Sequence, residues 1–148
     1  MEEYIIHETD DFFALSKLFH DSGMGVNIEE RKPDRILKMW RMDDPRSGEL
    51  MAAVTLEIRD GVYTLGDIAV RYDLRCRGYG KVMQTTVFRE ARKRGIRELW
   101  ACAKEPRYYL RNGWQKMNWD KSPQIALYCD SCGKRGKDCH PEIMRYSL

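Results

Sequence analysis

The stretch Arg75-Cys76-Arg77-Gly78-Tyr79-Gly80 constrains this chain more than any other. A strand-like run, Thr64-Leu65-Gly66-Asp67-Ile68-Ala69-Val70, leads into it, and a helix-like run from Lys81 to Arg94 leaves it. Glycine adopts backbone conformations that other residues resist and lets an incoming group approach the main chain. The amide N–H groups at a helix start carry partial positive charge and have no partner inside the helix. Strand, glycine loop and helix start in succession therefore make a cradle for an anion. Arg75, Arg77 and Lys81 crowd charge around it. Its natural occupant is a phosphate-rich cofactor.

Spacing excludes two common phosphate loops. A P-loop separates its glycines by four residues and then requires Lys followed by Ser or Thr. Here Tyr79 alone separates Gly78 from Gly80, and Val82 follows Lys81. The dinucleotide fingerprint needs a further glycine where Met83 stands. What remains is Arg-x-x-Gly-x-Gly between a strand and a helix. Downstream, Gly95 supplies a helix stop, and Glu98-Leu99-Trp100-Ala101-Cys102-Ala103 reads as a buried strand. Then comes Tyr108-Tyr109-Leu110-Arg111-Asn112-Gly113-Trp114, an aromatic-tyrosine pair, three residues, and glycine before an aromatic.

These two motifs in this order resemble those of the GNAT N-acetyltransferase superfamily, firmly over residues 50–118 and by general shape before that. The resemblance implies an α/β (α+β) fold: a mixed, mostly antiparallel central sheet flanked by helices, with a cofactor cleft where two central strands splay. It implies transfer of an acetyl group from acetyl-CoA to a primary amine by direct attack in a ternary complex. By the same resemblance, the backbone of Ile68, Ala69 and Val70 pairs with the pantetheine arm like an added strand. The loop Arg75, Cys76, Arg77, Gly78, Tyr79, Gly80 and Lys81 holds the pyrophosphate, and a bulky residue at Gly78 or Gly80 would block its approach.

Tyr109 matches the tyrosine of the family's later motif. A phenol, with an ordinary pKa near 10, can donate to a developing thiolate. The competing reading is an aromatic core residue, a part for which Tyr108 is the better candidate. Asp67 lies on the strand facing the cleft and can accept the proton of the attacking amine directly or through water. A helix cap, a substrate contact or a solvated role for Asp67 stays open. Thr64 stands where some relatives carry a glutamate, and Glu57, one strand over, is the fallback base.

Composition bounds the alternatives. A chain of 148 residues with 43% hydrophobic content suits one domain with one core. No apolar run is long enough for a membrane span. The start Met1-Glu2-Glu3-Tyr4 lacks a signal-peptide pattern, so a cytoplasmic protein is expected. The net charge of +3 is unevenly placed. Between Arg71 and Arg97 nine Arg and Lys residues face only Asp73 and Glu90, a local +7. That suits cofactor phosphates, although part of it is a solvated helix face. A nucleic-acid partner is disfavoured by thin aromatic interleaving. A non-catalytic CoA-binding or sensing module and a zinc-bearing nucleic-acid binder are the alternatives to an enzyme. The acceptor, a small-molecule or peptide amine, and the oligomeric state are not legible.

The five cysteines are an odd count and argue against a disulfide framework in a reducing compartment. Cys76 and Cys102 read as small packing residues. Cys129, Cys132, Cys139 and His140 have the makings of a zinc knuckle, with Gly133 and Gly136 permitting tight turns. Reduced thiols without metal are the alternative. The chain thus divides into an acetyltransferase domain at 1–128 and a Cys-rich tail at 129–148.

Along the chain, Tyr4 to His7 reads as a strand. Thr9 or Asp10 caps a helix whose inward face is Phe12, Leu15, Ser16 and Phe19. A second helix is predicted from Pro33, with Ile36, Leu37 and Trp40 on one face. Leu50 to Ile58 alternates as a strand, Asp60-Gly61 turns the chain, and Val62 to Val70 returns. The helix after the loop turns Met83, Val87 and Ala91 inward. Two last strands are predicted at Trp114–Asn118 and Gln124–Cys129.

Overall fold

The computed structural model describes residues 3–127 and 140–148. Its elements run β1 (Ile5–Glu8), α1 (Phe12–Asp21), β2 (Ile36–Asp43), β3 (Leu50–Arg59), β4 (Val62–Val70), α2 (Tyr79–Lys93), β5 (Glu98–Ala103), α3 (Pro106–Arg111), β6 (Gln115–Met117) and β7 (Glu142–Ser147). The strands form one mixed sheet in the order β1-β2-β3-β4-β5-β7-β6. Every pairing is antiparallel except β4 with β5.

Two apolar layers hold the helices to the sheet. On one face α1 buries Phe12, Leu15 and Phe19 against Met39, Ala53 and Ala69. On the other, Met83, Val87 and Ala91 of α2 pack on Val54, Leu65, Leu99 and Met144. Both helical stripes are those the spacing predicts. The cap of α1 is one residue later than expected: Asp11 accepts from the Ala14 amide at 3.2 Å. The Thr9 hydroxyl accepts the Asp11 amide instead, at 3.1 Å.

The helix predicted from Pro33 is a strand. β2 lies between β1 and β3, with Trp40 opposite both Glu8 and Val54. It is buried on both faces, sending Ile36 and Met39 toward α1 and Trp40 and Met42 into the other layer. A register shift between Ile36 and Lys38 breaks the alternation. The apolar residues consequently fall at three- and four-residue spacings that mimic a helix.

The strand predicted over Gln124–Cys129 is also absent in its described part. Residues 124–127 make tight local turns, with the Leu127 amide donating to the Ile125 carbonyl at 3.0 Å. Ile125 is buried there with Trp100 and Ile143. The place of a late strand is taken by β7, which pairs with β5 on one side and β6 on the other. The sheet therefore draws on residues that the sequence reading set apart as tail. No helix among the described residues is long and apolar enough to cross a membrane.

Trp114 is the centre of an aromatic group. Its ring lies 5.2 Å from Tyr109, 6.0 Å from Phe88 and 5.5 Å from Tyr146. Its indole N–H donates to Gln84 at 3.3 Å. Replacing it empties a buried volume that three elements share, so Trp114→Ala should cost about 3–5 kcal/mol. Urea denaturation measures this as a lowered midpoint with an unchanged slope; a loss below about 1 kcal/mol would deny Trp114 that central place.

Candidate active site

β4 and β5 are parallel neighbours, yet Thr64 and Trp100 are their one pairing position among the described residues. Beyond it the strands part. From Leu65 to Val70, β4 keeps its ladder to β3 but has no strand paired on the other side among the described residues. The expected contact strand, Ile68, Ala69 and Val70, lies on this free edge. Ala69 is buried against α1 and the other two are half-buried.

The edge leads into the loop. A 3₁₀ turn at Tyr72–Leu74 follows Arg71, Cys76 adopts φ 65° and Gly78 adopts φ 84°. The first helical bond of α2 runs from the Val82 amide to the Gly78 carbonyl at 3.2 Å. No side chain caps this helix start and no acid lies in its first turn. Its leading amides are left for an outside acceptor. Arg71 is neutralised by Asp73 at 2.7 Å, whereas Arg75, Arg77 and Lys81 form no salt bridge among the described residues.

The two glycines serve different ends. A Cβ on Gly78 would meet nothing within 4 Å, so the positive φ is what demands glycine there. A Cβ on Gly80 would lie 3.0 Å from the Tyr108 hydroxyl. That hydroxyl is buried and has no hydrogen-bond partner among the described residues. The buried Gln84 amide nitrogen is likewise unpartnered there. Gln84 borders a groove of about 400 Å³ between α2 and α3, with Lys81, Arg92 and Arg111 on its walls. An uncapped helix start, free cations and unmatched polar atoms together fit a phosphate-bearing ligand.

Tyr109 and Asp67 approach the parting strands from α3 and β4. Tyr109 is 6% exposed and more deeply buried than Tyr108, the reverse of the expected order of burial. Burial pushes its hydroxyl pKa well above the ordinary phenol value, and the neighbouring Tyr108, Cys102 and Asp67 add to the rise. Asp67 is 8% exposed. Desolvation raises its pKa from 3.8 to about 6; the Arg59 guanidinium opposes the rise and the Glu57 carboxylate supports it.

Glu57 has different surroundings. It is fully buried and accepts from Arg59 Nε at 2.8 Å, Arg35 Nε at 2.9 Å and the Thr55 hydroxyl at 2.5 Å. Two guanidinium groups and the hydroxyl overcome desolvation and hold its pKa below the usual carboxylate value. A carboxylate so tightly paired is a poor base, which removes the physical case for Glu57 as the fallback. Thr64 is buried at the fork, its hydroxyl donating to the Val62 carbonyl at 3.0 Å.

Of the expected zinc ligands, Cys129, Cys132 and Cys139 lie outside the described residues, and His140 is exposed. No group of three or more potential metal ligands occurs among the described residues.

The model of the acetyltransferase (GNAT) family matches residues 3–119. The chain belongs to that family. No curated protein sequence shows significant similarity to it. Solved GNAT structures share its fold at low identity. N-acetylglutamate synthase from Neisseria gonorrhoeae, complexed with coenzyme A and N-acetyl-glutamate, aligns with a TM-score of 0.73 at 17% identity. The alignment covers 100% of this chain but 36% of the synthase, so this GNAT chain spans about a third of that relative. A GNAT acetyltransferase from Elizabethkingia anophelis with acetyl-CoA bound aligns over 100% of both chains, with a TM-score of 0.66 at 13% identity. IAA acetyltransferase from Bacillus cereus gives 0.65 at 13%, over 98% of this chain and 99% of that one.

Thr55, Arg59, Arg35 and Gly66 pack around Glu57 and Asp67, and sequence reasoning passed over them. The signal was present: Thr55, Glu57 and Arg59 recur at every second position of one strand. The alternation marks a strand without saying that this face is inside: these residues are 0%, 0% and 5% exposed, and Ile58 points outward instead.

Asp67 links this site to stability. Its folded pKa exceeds its unfolded value, so the folded state holds the extra proton between about pH 4 and 6. Its stabilising share is present below that window and lost as pH rises through it. Asp67→Asn should therefore melt several degrees above the wild type at pH 8 and level with it at pH 4. A melting difference that does not change with pH would contradict the buried, strained carboxylate.

Proposed function

We propose that this GNAT protein transfers an acetyl group from acetyl-CoA to a primary amine by direct attack within a ternary complex. The observation that carries this reading is the continuity of a free β4 edge with an uncapped, cation-rich helix start, with Asp67 and Tyr109 beside the fork. Bound acetyl-CoA supplies the thioester whose carbonyl carbon the amine attacks. The β4 edge from Ile68 to Val70 supplies main-chain groups to the pantetheine arm. The amides after Gly78, with Arg75, Arg77 and Lys81, neutralise the pyrophosphate. The groove beside Gln84, with its Lys and Arg walls, receives the nucleotide end.

As the N–C bond forms and the C–S bond breaks, two protons must move. Asp67 is ionised at neutral pH yet basic enough to take the proton from the amine, directly or through water. Tyr109 remains a neutral phenol at any physiological pH, because burial raises its pKa. It serves as hydrogen-bond and proton donor to the departing thiolate. The acceptor is a small-molecule or peptide amine that enters on the α1 face, where the Asp67 carboxylate lies.

Titration calorimetry with CoA and with acetyl-CoA, followed by thiol release across a panel of amines, tests the reading. Binding of both ligands and amine-dependent thiol release are expected; no heat with either ligand ends the proposal. Tyr109→Phe should lower kcat by about 10²-fold or more and leave CoA affinity unchanged, because the ring packing is kept. Gly78→Ala should weaken CoA binding and cost about 1 kcal/mol of stability, since alanine resists the left-handed conformation.

A further inference from the structure

Three buried charged groups and the half-buried Arg35 meet beside the fork, and the reaction as described uses one of the four. Glu57 and Arg59 come from β3, Asp67 from β4, and Arg35 from the segment leading into β2. Arg59 is shared. Its Nε donates to Glu57 at 2.8 Å, its terminal nitrogen faces Asp67 at 3.5 Å, and its other terminal nitrogen donates to the Ile125 carbonyl at 3.0 Å. Glu57 thus holds the closer grip on a cation that also faces Asp67.

A second link runs through the backbone. Opposite Val54 and Leu56 stand Ile68 and Leu65, so Gly66 and Asp67 together face Thr55 in a bulge. The Thr55 hydroxyl accepts the Asp67 amide at 2.9 Å and donates to Glu57 at 2.5 Å. Gly66 is confined by the same pair: a Cβ there would collide with the Glu57 carboxylate and the Thr55 hydroxyl.

We propose that Glu57 is a positioning residue for Asp67, fixing its backbone through Thr55 and setting its charge by competing with it for Arg59. The proposal rests on Asp67 as the proton acceptor of the acetyl transfer. The groups bearing on Asp67 are Glu57 and Arg59 from β3 and Arg35 before β2, with Tyr109 of α3 also coupled to it electrostatically. Removing the Glu57 charge frees Arg59 for Asp67 and removes a like charge, so Asp67 holds its proton less tightly. Removing Arg35 does the opposite, because Glu57 then draws harder on Arg59.

The test is a carboxyl-carbon NMR titration of the full chain labelled at aspartate, with the Asp67 signal assigned by its loss in Asp67→Asn. Glu57→Gln should lower the Asp67 midpoint by about one pH unit or more, and Arg35→Met should raise it. The acid limb of kcat/KM should move in the same two directions while CoA affinity holds. Thr55→Val should lower kcat, and Thr55→Ser should restore it. Midpoints that stay in place, or that move the same way in both variants, overturn the proposal. Should Glu57→Gln fail to fold, Arg35→Met decides alone, since that side chain is 25% exposed. The NMR midpoint needs no turnover. Loss of the acetyl-transfer reading would appear as missing thiol release, whereas loss of this inference would appear as an unmoved midpoint.

Discussion

Among the described residues, one pairing position, Thr64 with Trp100, joins the two half-sheets. Strands that part expose main-chain donors and acceptors, and such groups cost free energy when left dry and unmatched. The halves are instead held by side chains. Leu65 from one half and Leu99, Ala101 and Met144 from the other are buried in one apolar layer beneath α2. That layer bridges the gap from one face, so the opening can persist without unzipping the sheet. The helix that bridges it is also the helix whose uncapped start follows the glycine loop. Core packing and the proposed cofactor site are thereby carried by one element.

The buried charges follow from the same opening. An acid at the fork lies out of bulk water and needs a partner for its charge. Asp67 meets this demand with a weak share of one guanidinium, and Glu57 with a strong share of two. Two carboxylates ten residues apart, on neighbouring strands, thus acquire opposite tendencies. Glu57 is kept charged and Asp67 is left able to exchange its proton near neutral pH.

Local signals were legible in the sequence, and non-local ones were not. Gly78, Gly80, Lys81 and Tyr109 lie within short motifs whose spacing is set by local geometry, and the inward stripes of α1 and α2 repeat at helical intervals. β2 was misread because it is buried on both faces and carries a register shift, which replaces alternation with a helix-like spacing. β7 was missed because Ile143 and Met144 are both buried, on opposite faces, so no alternation marks them. The alternation of β3 marks a strand but does not tell which partners its polar residues meet. Only the arrival of Arg35, Asp67 and the Ile125 carbonyl from distant parts of the chain makes their burial tolerable.

The place of β7 has a consequence for how the molecule is made. Translation delivers β1 through β4, α1 and α2 first, and these can already stack into one half of the sheet. β5 and β6 then emerge, but neither touches the other in the finished order. Both await residues 142–147, synthesised some two dozen positions after β6 ends at Met117. Until that insertion the nascent chain carries the glycine loop and α2 next to an unfinished second half. Acquisition of the fork is therefore a late, long-range event of biogenesis.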